Sequence, residues 1–328
     1  MSIPMILAGD IGGTSTRLGL FEAAPGRPRA LTTRVVTTLD FDGLPSMVSA
    51  FLADAGTLPT AVGAACFGVA GPVIGHAATL TNVPWRIDAA RVRDAFGFGH
   101  VALLNDLQAM AHAVPVLQDA ELHTLQAGQA VADGNKALIA AGTGLGASLL
   151  HNVGGRFIPV ASESGHADYA ARTDREIALL RDLTSRYGRA EVEHVVSGHG
   201  LVNIHRATHH AACAAAIDLA AVDAPAAIST AALARTCPGC VEALALFVDA
   251  YGAEAGNLAL RTMATGGLYV GGGVAPKILP VMTTGAFMAA FRAKGAFEAT
   301  LSQIPVKIIL NAQAGLLGAA VFAADIPV

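Results

Sequence analysis

The sequence predicts an α/β protein of two domains, built on mostly parallel sheets covered by helices. Three observations predict it. The 328-residue length suits about two domains. Short apolar runs alternate with helix-like stretches, as where crossover helices join parallel strands. One strand–turn–strand segment near the start recurs in the middle of the chain.

The elements follow in order. "MILAG" from Met5 reads as a buried strand, and "TRLGLF" up to Phe21 as its return. Gly43 to Leu52 has helical spacing. "AVGAACFGVAG" from Ala61 and "HVALLN" from His100 are strands, and Leu107 to Val114 is a helix directly after the second. "KALIAAG" from Lys136 opens a second strand–turn–strand segment. Arg175 to Tyr187 and the long, alanine-rich Val241 to Met263 are helices. "GLYVGGG" from Gly267 and "VKIIL" from Val306 are strands, and Gln313 to Ala324 is a closing helix. No long Ser/Pro/Gly linker separates the halves. The domain boundary is therefore placed in the helix after Asp106, with a cleft between the domains.

Composition narrows the function. The chain is 53% hydrophobic and 14% charged, with a formal net charge of −4. No Lys/Arg-rich block exists, so no nucleic-acid partner is expected. Four scattered cysteines, Cys66, Cys213, Cys237 and Cys240, make no disulfide framework and fit a reducing, cytoplasmic setting. "MSIPMILAGD" lacks the basic segment of a secretory signal. The uncharged runs Ala137–Gly155 and Ile308–Ala324 are interrupted by Gly, His, Asn or Gln, so no membrane span is expected.

The repeat carries the chemistry. "ILAGDIGGTSTRLGLF" and "ALIAAGTGLGASLLHN" are each a strand, a Gly/Thr turn and a strand. Turns with little side chain can present backbone N–H groups to an anion. Gly9, Asp10, Ile11, Gly12, Gly13 and Thr14 form the first candidate phosphate segment, and Gly142, Thr143 and Gly144 the second. Together they could hold a chain of phosphates. Ordinary tight hairpins are the alternative. Asp10 can hold hydrated Mg2+, since hard cations prefer carboxylates and water. Neither a P-loop nor a G-x-G-x-x-G strand-to-helix turn is present: "GTGLG" leads into a strand-like run.

With these motifs the chain resembles the bacterial glucokinases, the hexokinase-type enzymes of the actin-like ATPase (ribonuclease H-like) fold. "GDIGGTSTR", "NDLQA" at Asn105, "GTGLG", "ESGH" at Glu163, "EHVVSGHGLVNIHR" at Glu193 and "GGGVAPKI" at Gly271 occur in the family's order, with "TNVPW" at Thr81 and "GLLGAA" at Gly315. The resemblance implies two α/β domains closing over ATP and glucose in an active-site cleft. A smaller one would cover 1–110, joined by a last helix over about 312–328, and a larger one 111–311. It also implies a homodimer.

A carboxylate at the end of "VALLN" can project into such a cleft. Phosphoryl transfer to an alcohol needs alignment, a metal on the phosphates and an acceptor for the hydroxyl proton. Asp106 fits the last role, and the resemblance implies the same; a helix N-cap is the competing reading. Asn105 would then bond a sugar hydroxyl. Glu163 and His166 offer an acceptor and a donor for vicinal hydroxyls. The resemblance implies Glu193 as the third sugar residue, since only Glu193-His194-Val195-Val196-Ser197-Gly198 fits its pattern; Glu191, the rival, is expected to be dispensable. His199 departs from the usual proline, in what reads as a turn. Gly271, Gly272 and Gly273 would let adenosine approach the backbone.

Two motifs read as inert. His205 and His209 read as a solvated helix face, since Arg206 stands where a zinc protease needs Glu. Cys237 and Cys240 have C-x-x-C spacing with no two further ligands visible nearby, and read as a reduced, half-buried helix start. The denser Cys/His zinc cluster of the related ROK group is missing. The expected reaction is ATP-dependent phosphorylation of glucose. A kinase of another hexose, or a sugar-responsive regulator, is the alternative. The start of the phosphate motif at Gly9 and the intact Asp106 weigh against the regulator.

Overall fold

The computed structural model describes residues 5–80, 83–209 and 213–326; Thr81 and Asn82 of the "TNVPW" segment lie outside them. The chain divides into two compact units. Unit 1 is Met1–Gln118, Phe157–Ala161 and Asn311–Val328, and unit 2 is Asp119–Arg156 and Ser162–Leu310.

Unit 1 begins with β1 (Met5–Ile11), β2 (Ser15–Glu22) and β3 (Arg29–Thr37), an antiparallel series. Helix α1 (Leu44–Asp54) leads to β4 (Val62–Val69), parallel to β1. A small sheet of β5 (Val73–Ile74), β6 (Ala77–Thr79) and β7 (Arg86–Asp88) follows. Helix α2 (Ala89–Phe96) is capped by Asp88, which accepts from the N–H groups of Ala90 and Arg91. Strand β8 (His100–Asn105) pairs parallel with β4, and α3 (Asp106–Ala113) follows it. The sheet order is β3-β2-β1-β4-β8.

Side-chain alternation explains why this sheet is covered on both faces. Leu7 and Ile11 of β1 and Phe67 and Val69 of β4 pack with Val48 and Phe51 of α1. Ile6 and Ala8 of β1 and Cys66 of β4 pack with Leu316, Ala319 and Ala320 from the end of the chain. Asp10 shares the second face.

Unit 2 repeats the plan. Strand β9 (Leu122–Gln126) precedes the hairpin of β10 (Lys136–Ala141) and β11 (Leu145–Val153); β12 (Arg156–Ser162), whose Phe157–Ala161 group with unit 1, follows in the chain. Four helices come next: α4 (Asp174–Tyr187), α5 (Gly198–Thr208), α6 (Ala224–Leu233) and the 25-residue α7 (Pro238–Thr262). Strand β13 (Gly267–Gly271) joins β10 in parallel, and after α8 (Val274–Lys277), α9 (Leu279–Met282), α10 (Ala286–Arg292) and α11 (Glu298–Gln303), β14 (Val306–Ile309) joins β13 in parallel. Buried Phe247 and Tyr251 of α7 pack with Ile139 and Val270 of this sheet in the core.

The sheets are mixed, which corrects the expectation of mostly parallel ones. Each glycine turn closes a hairpin, so its two strands are antiparallel. Only strands reached through helices, β1-β4-β8 and β10-β13-β14, are parallel. The final helix, α12 (Ala314–Ala324), belongs to unit 1. It lies so close to α3 that a Cβ on Gly318 would be 1.7 Å from the Ala109 carbonyl oxygen. Among the described residues no single helix is long and apolar enough to cross a membrane.

Candidate active site

In unit 1 the candidate residues lie at the carboxyl ends of parallel strands, where open α/β sheets bind ligands. Gly9, Asp10 and Ile11 end β1. Register places Ile11 beside Val69 and Val69 beside Asn105, so β1, β4 and β8 end level with one another. Gly9 is a packing glycine, since a Cβ there would be 2.5 Å from the Phe67 ring. Ile11 is fully buried in the core and can offer only backbone to a ligand. Gly12 needs its missing Cβ for the turn, because one would be 2.7 Å from the Ser15 carbonyl oxygen. Thr38 holds this turn from outside: its hydroxyl donates to Gly12 O at 2.8 Å, and its N–H donates to Thr14 O at 3.0 Å. Gly13 is partly exposed beside it, and the Thr14 side chain is exposed.

Asp10 lies opposite Arg17 on β2, Oδ2 to guanidinium 3.7 Å. Burial pushes its carboxyl above the usual carboxylate range, and Arg17 offsets this only in part. Beside it is Gly315, the second residue of α12, where a Cβ would be 3.1 Å from the carboxylate.

Asn105, not Asp106, is the N-cap of α3. Its Oδ1 accepts from Leu107 N at 2.9 Å, and its Nδ2 donates to Gly71 O at 3.3 Å. Asp106 is the first helical residue, and its Oδ1 also accepts from Leu107 N, at 2.8 Å.

In unit 2 the sugar candidates converge on the second glycine turn. Glu193 Oε2 accepts from Leu145 N at 2.7 Å. A Cβ on Gly144 would be 2.4 Å from that same oxygen, so the glycine makes room for the carboxylate. Glu193 N donates to Gly165 O at 2.9 Å, which ties the Glu163–His166 turn to it. Ser197 closes the loop: its hydroxyl donates to Glu193 O and accepts from Gly200 N, capping α5. His199 lies in the first turn of α5, exposed, rather than in a loop. Gly142 is open on its Cβ side. Its carbonyl accepts from Gly198 N at 2.8 Å, and Thr143 is exposed. Gly271 ends β13 next to β10. Gly272, at φ +82° and packed on the Ala141 backbone, has the left-handed geometry that favours glycine. Gly273 is open on its Cβ side.

Two contacts that the sequence did not reveal complete the geometry. Glu191 Oε2 bonds His166 Nδ1 at 2.8 Å, and Arg189 holds the same carboxylate. The bond to Glu191 raises the His166 pKa above its usual value and lowers that of Glu191; Glu193 and Glu163 act on His166 in the same direction. Glu191 thus holds the His166 imidazole, a contact the sequence reading did not give it. Its distance of 25 residues from His166 left no local signal. Tyr251 makes the second: its buried hydroxyl oxygen accepts from Ala141 N at 3.1 Å, fixing the end of β10 where the glycine turn begins.

Two units, each with a glycine-turn hairpin and parallel strands, have the plan of the actin-like ATPase fold. The comparisons are specific. A glucokinase family model matches residues 7–326. A glucokinase of Nostoc punctiforme is 40% identical, over 98% of this chain and 99% of its own. The solved glucokinase of an Antarctic psychrotroph aligns with TM-score 0.86 at 30% identity, over 98% of this chain and 99% of that one. A ROK-family glucokinase from Streptomyces griseus, solved with glucose and AMPPNP, shares the fold at TM-score 0.64 and 24% identity. The chain belongs to the glucokinase family.

Proposed function

We propose that the chain transfers the γ-phosphoryl group of ATP to the 6-hydroxyl of glucose by direct in-line displacement. The observation that carries this reading is the unit 2 cluster, in which Glu193, Glu163 and a Glu191-oriented His166 gather on the Gly144–Leu145 turn. Carboxylates accept from sugar hydroxyls, and the imidazole donates to one. Asn105 adds an amide from unit 1. Held this way, the reacting oxygen is aligned and the entropic part of the barrier falls.

Asp106 accepts the hydroxyl proton as the oxygen attacks. Gly12 to Thr14 and Gly142 to Gly144 cradle the phosphates with backbone N–H and threonine hydroxyl groups. Gly271 to Gly273 receive the adenosine. The donor set fits Mg2+ held through water: Asp10 is a carboxylate whose charge burial disfavours and Arg17 only partly balances. Bound there, the ion would neutralise phosphate charge. A homodimer, which the family resemblance implies, and a cytoplasmic setting, which the four scattered cysteines fit, belong to the same proposal.

A coupled ADP-release assay over a panel of hexoses tests the reading. The expected result is turnover with glucose well above that with fructose, mannose or N-acetylated sugars, and none without sugar. Preference for another hexose would reassign the substrate. Sugar binding without turnover would point to a regulator.

A further inference from the structure

The two motifs that read as inert in the sequence meet in the structure. His205 is not on a solvated face: it is 2% exposed, and neither ring nitrogen has a hydrogen-bond partner. Its ring stacks on that of His209, centroids 3.6 Å apart. Three of the four cysteines join them. Cys213 Sγ lies 3.7 Å from Cys237 Sγ and 4.0 Å from Cys240 Sγ, and His209 Nε2 lies 3.3 Å from Cys237 Sγ. One donor atom each from His205, His209, Cys213 and Cys240 falls within 4.8 Å of the others.

We propose that His205, His209, Cys213 and Cys240 form a closed, tetrahedral Zn2+ site joining the end of α5 to the start of α7. Bond lengths of about 2.3 Å to sulfur and 2.0–2.1 Å to nitrogen put tetrahedral ligands roughly 3.3–3.8 Å apart. Among the proposed ligands, Cys213 Sγ and Cys240 Sγ stand 4.0 Å apart, just beyond that range, and all four donor atoms lie within 4.8 Å of one another, so a small inward shift closes the tetrahedron. A disulfide would need sulfurs at about 2.05 Å, and all four cysteines are free.

The histidines are arranged for the task. His209 Nδ1 is 3.1 Å from the His205 carbonyl oxygen, which can only accept, so Nδ1 carries the proton and Nε2 turns its lone pair to the thiols. Metal-binding histidines are commonly fixed by such a bond. The C-x-x-C turn is cut to fit the ring: a Cβ on Gly239 would be 2.2 Å from His209 Cε1. Buried polar atoms rarely lack partners, and a metal bond would give the His205 ring one. Thiolates with imidazoles in a tetrahedron select zinc among common divalent ions.

Five donors surround four places. His205 takes the fourth because its buried ring nitrogens have no other partner and its donor atom falls within 4.8 Å of those of His209, Cys213 and Cys240, a group that does not include Cys237. With four protein ligands the site has no open position for chemistry and is structural. The reach is long in sequence: C-x-x-C supplies one ligand, and the others come from 27 or more residues upstream.

The full chain, made without a histidine tag, tests this by metal analysis, thiol titration and melting. The expected result is one zinc per chain, a lower melting temperature after chelation, and recovery on adding Zn2+. Co2+ added to the stripped protein should give the absorption of a tetrahedral cobalt thiolate. Cys213→Ser and Cys240→Ser should each lose zinc and no longer respond to it. A wild-type protein with four titratable thiols, no zinc and no response to Zn2+ or Co2+ would overturn the site, even if the variants fail to fold. Loss of zinc in Cys237→Ser but not in His205→Phe would overturn His205 as the fourth ligand.

Discussion

At the scale of single residues, the proposed sugar cluster depends on contacts between groups far apart in sequence. Glu191 is predicted to act through His166. Glu191→Gln should lower the His166 titration midpoint, read by NMR, and raise the KM for glucose more than it lowers kcat. An unchanged midpoint would remove the coupling. The pH dependence has a defined sign. His166 is raised above 6.5, so its share of stability is full below 6.5 and fades as pH rises through the raised value. Glu191 is lowered from 4.5, so its share is full above 4.5 and fades as pH falls through the lowered value. The melting-temperature gap between wild type and variant should be widest between 4.5 and 6.5. Gly144 makes a second case. Gly144→Ala would place a methyl 2.4 Å from Glu193 Oε2 and displace the carboxylate. Losing a charged hydrogen bond to sugar is worth about 1.5–3 kcal/mol, so the KM for glucose should rise by roughly ten- to a hundredfold. If the KM for ATP rises instead, Gly144 serves the phosphates and not the glutamate.

At the scale of elements, α12 positions α3, the helix that begins with Asp106. Gly318 allows their close approach, so Gly318→Ala should force the helices apart. Overpacking costs about 1–3 kcal/mol, read as a lower melting temperature. Because Asp106 and the proposed sugar ligand Asn105 both stand at the start of α3, kcat should fall and the KM for glucose should rise. A fully stable, fully active variant would show that the approach is not needed. The same elements show what the sequence makes legible. Strands β1, β4, β10, β13 and β14 are largely buried apolar runs, and β8 is an apolar run buried at Leu103 and Leu104; runs of that length announce themselves. Strand β3, "RALTTRVVT", is mostly exposed at a sheet edge, so no hydrophobic pattern marks it. The glycine turns and Asn105–Asp106 were visible because their chemistry is local. The Glu191–His166 bond, the Tyr251 anchor and the Cys/His cluster were not, because each joins segments that only the fold brings together.

At the scale of the whole molecule, the proposed roles fall to residues of different units. Glu163, Glu193 and His166, proposed to bind the sugar, belong to unit 2, and Asp106, proposed to accept the proton, belongs to unit 1. Binding and turnover should therefore be separable by mutation. Glu193→Gln should weaken glucose binding first. Asp106→Asn should leave it largely intact, because the amide keeps the size and most of the hydrogen bonding. The N-cap of α3 belongs to Asn105, so Asp106→Asn should also leave the melting temperature nearly unchanged. General-base contributions are typically about 10²–10⁴-fold. The decisive measurement is kcat, glucose affinity and melting temperature on Asp106→Asn. The account predicts kcat down by about 10²–10⁴-fold with the other two close to wild type. A variant retaining more than about a tenth of wild-type kcat would contradict Asp106 as the essential base.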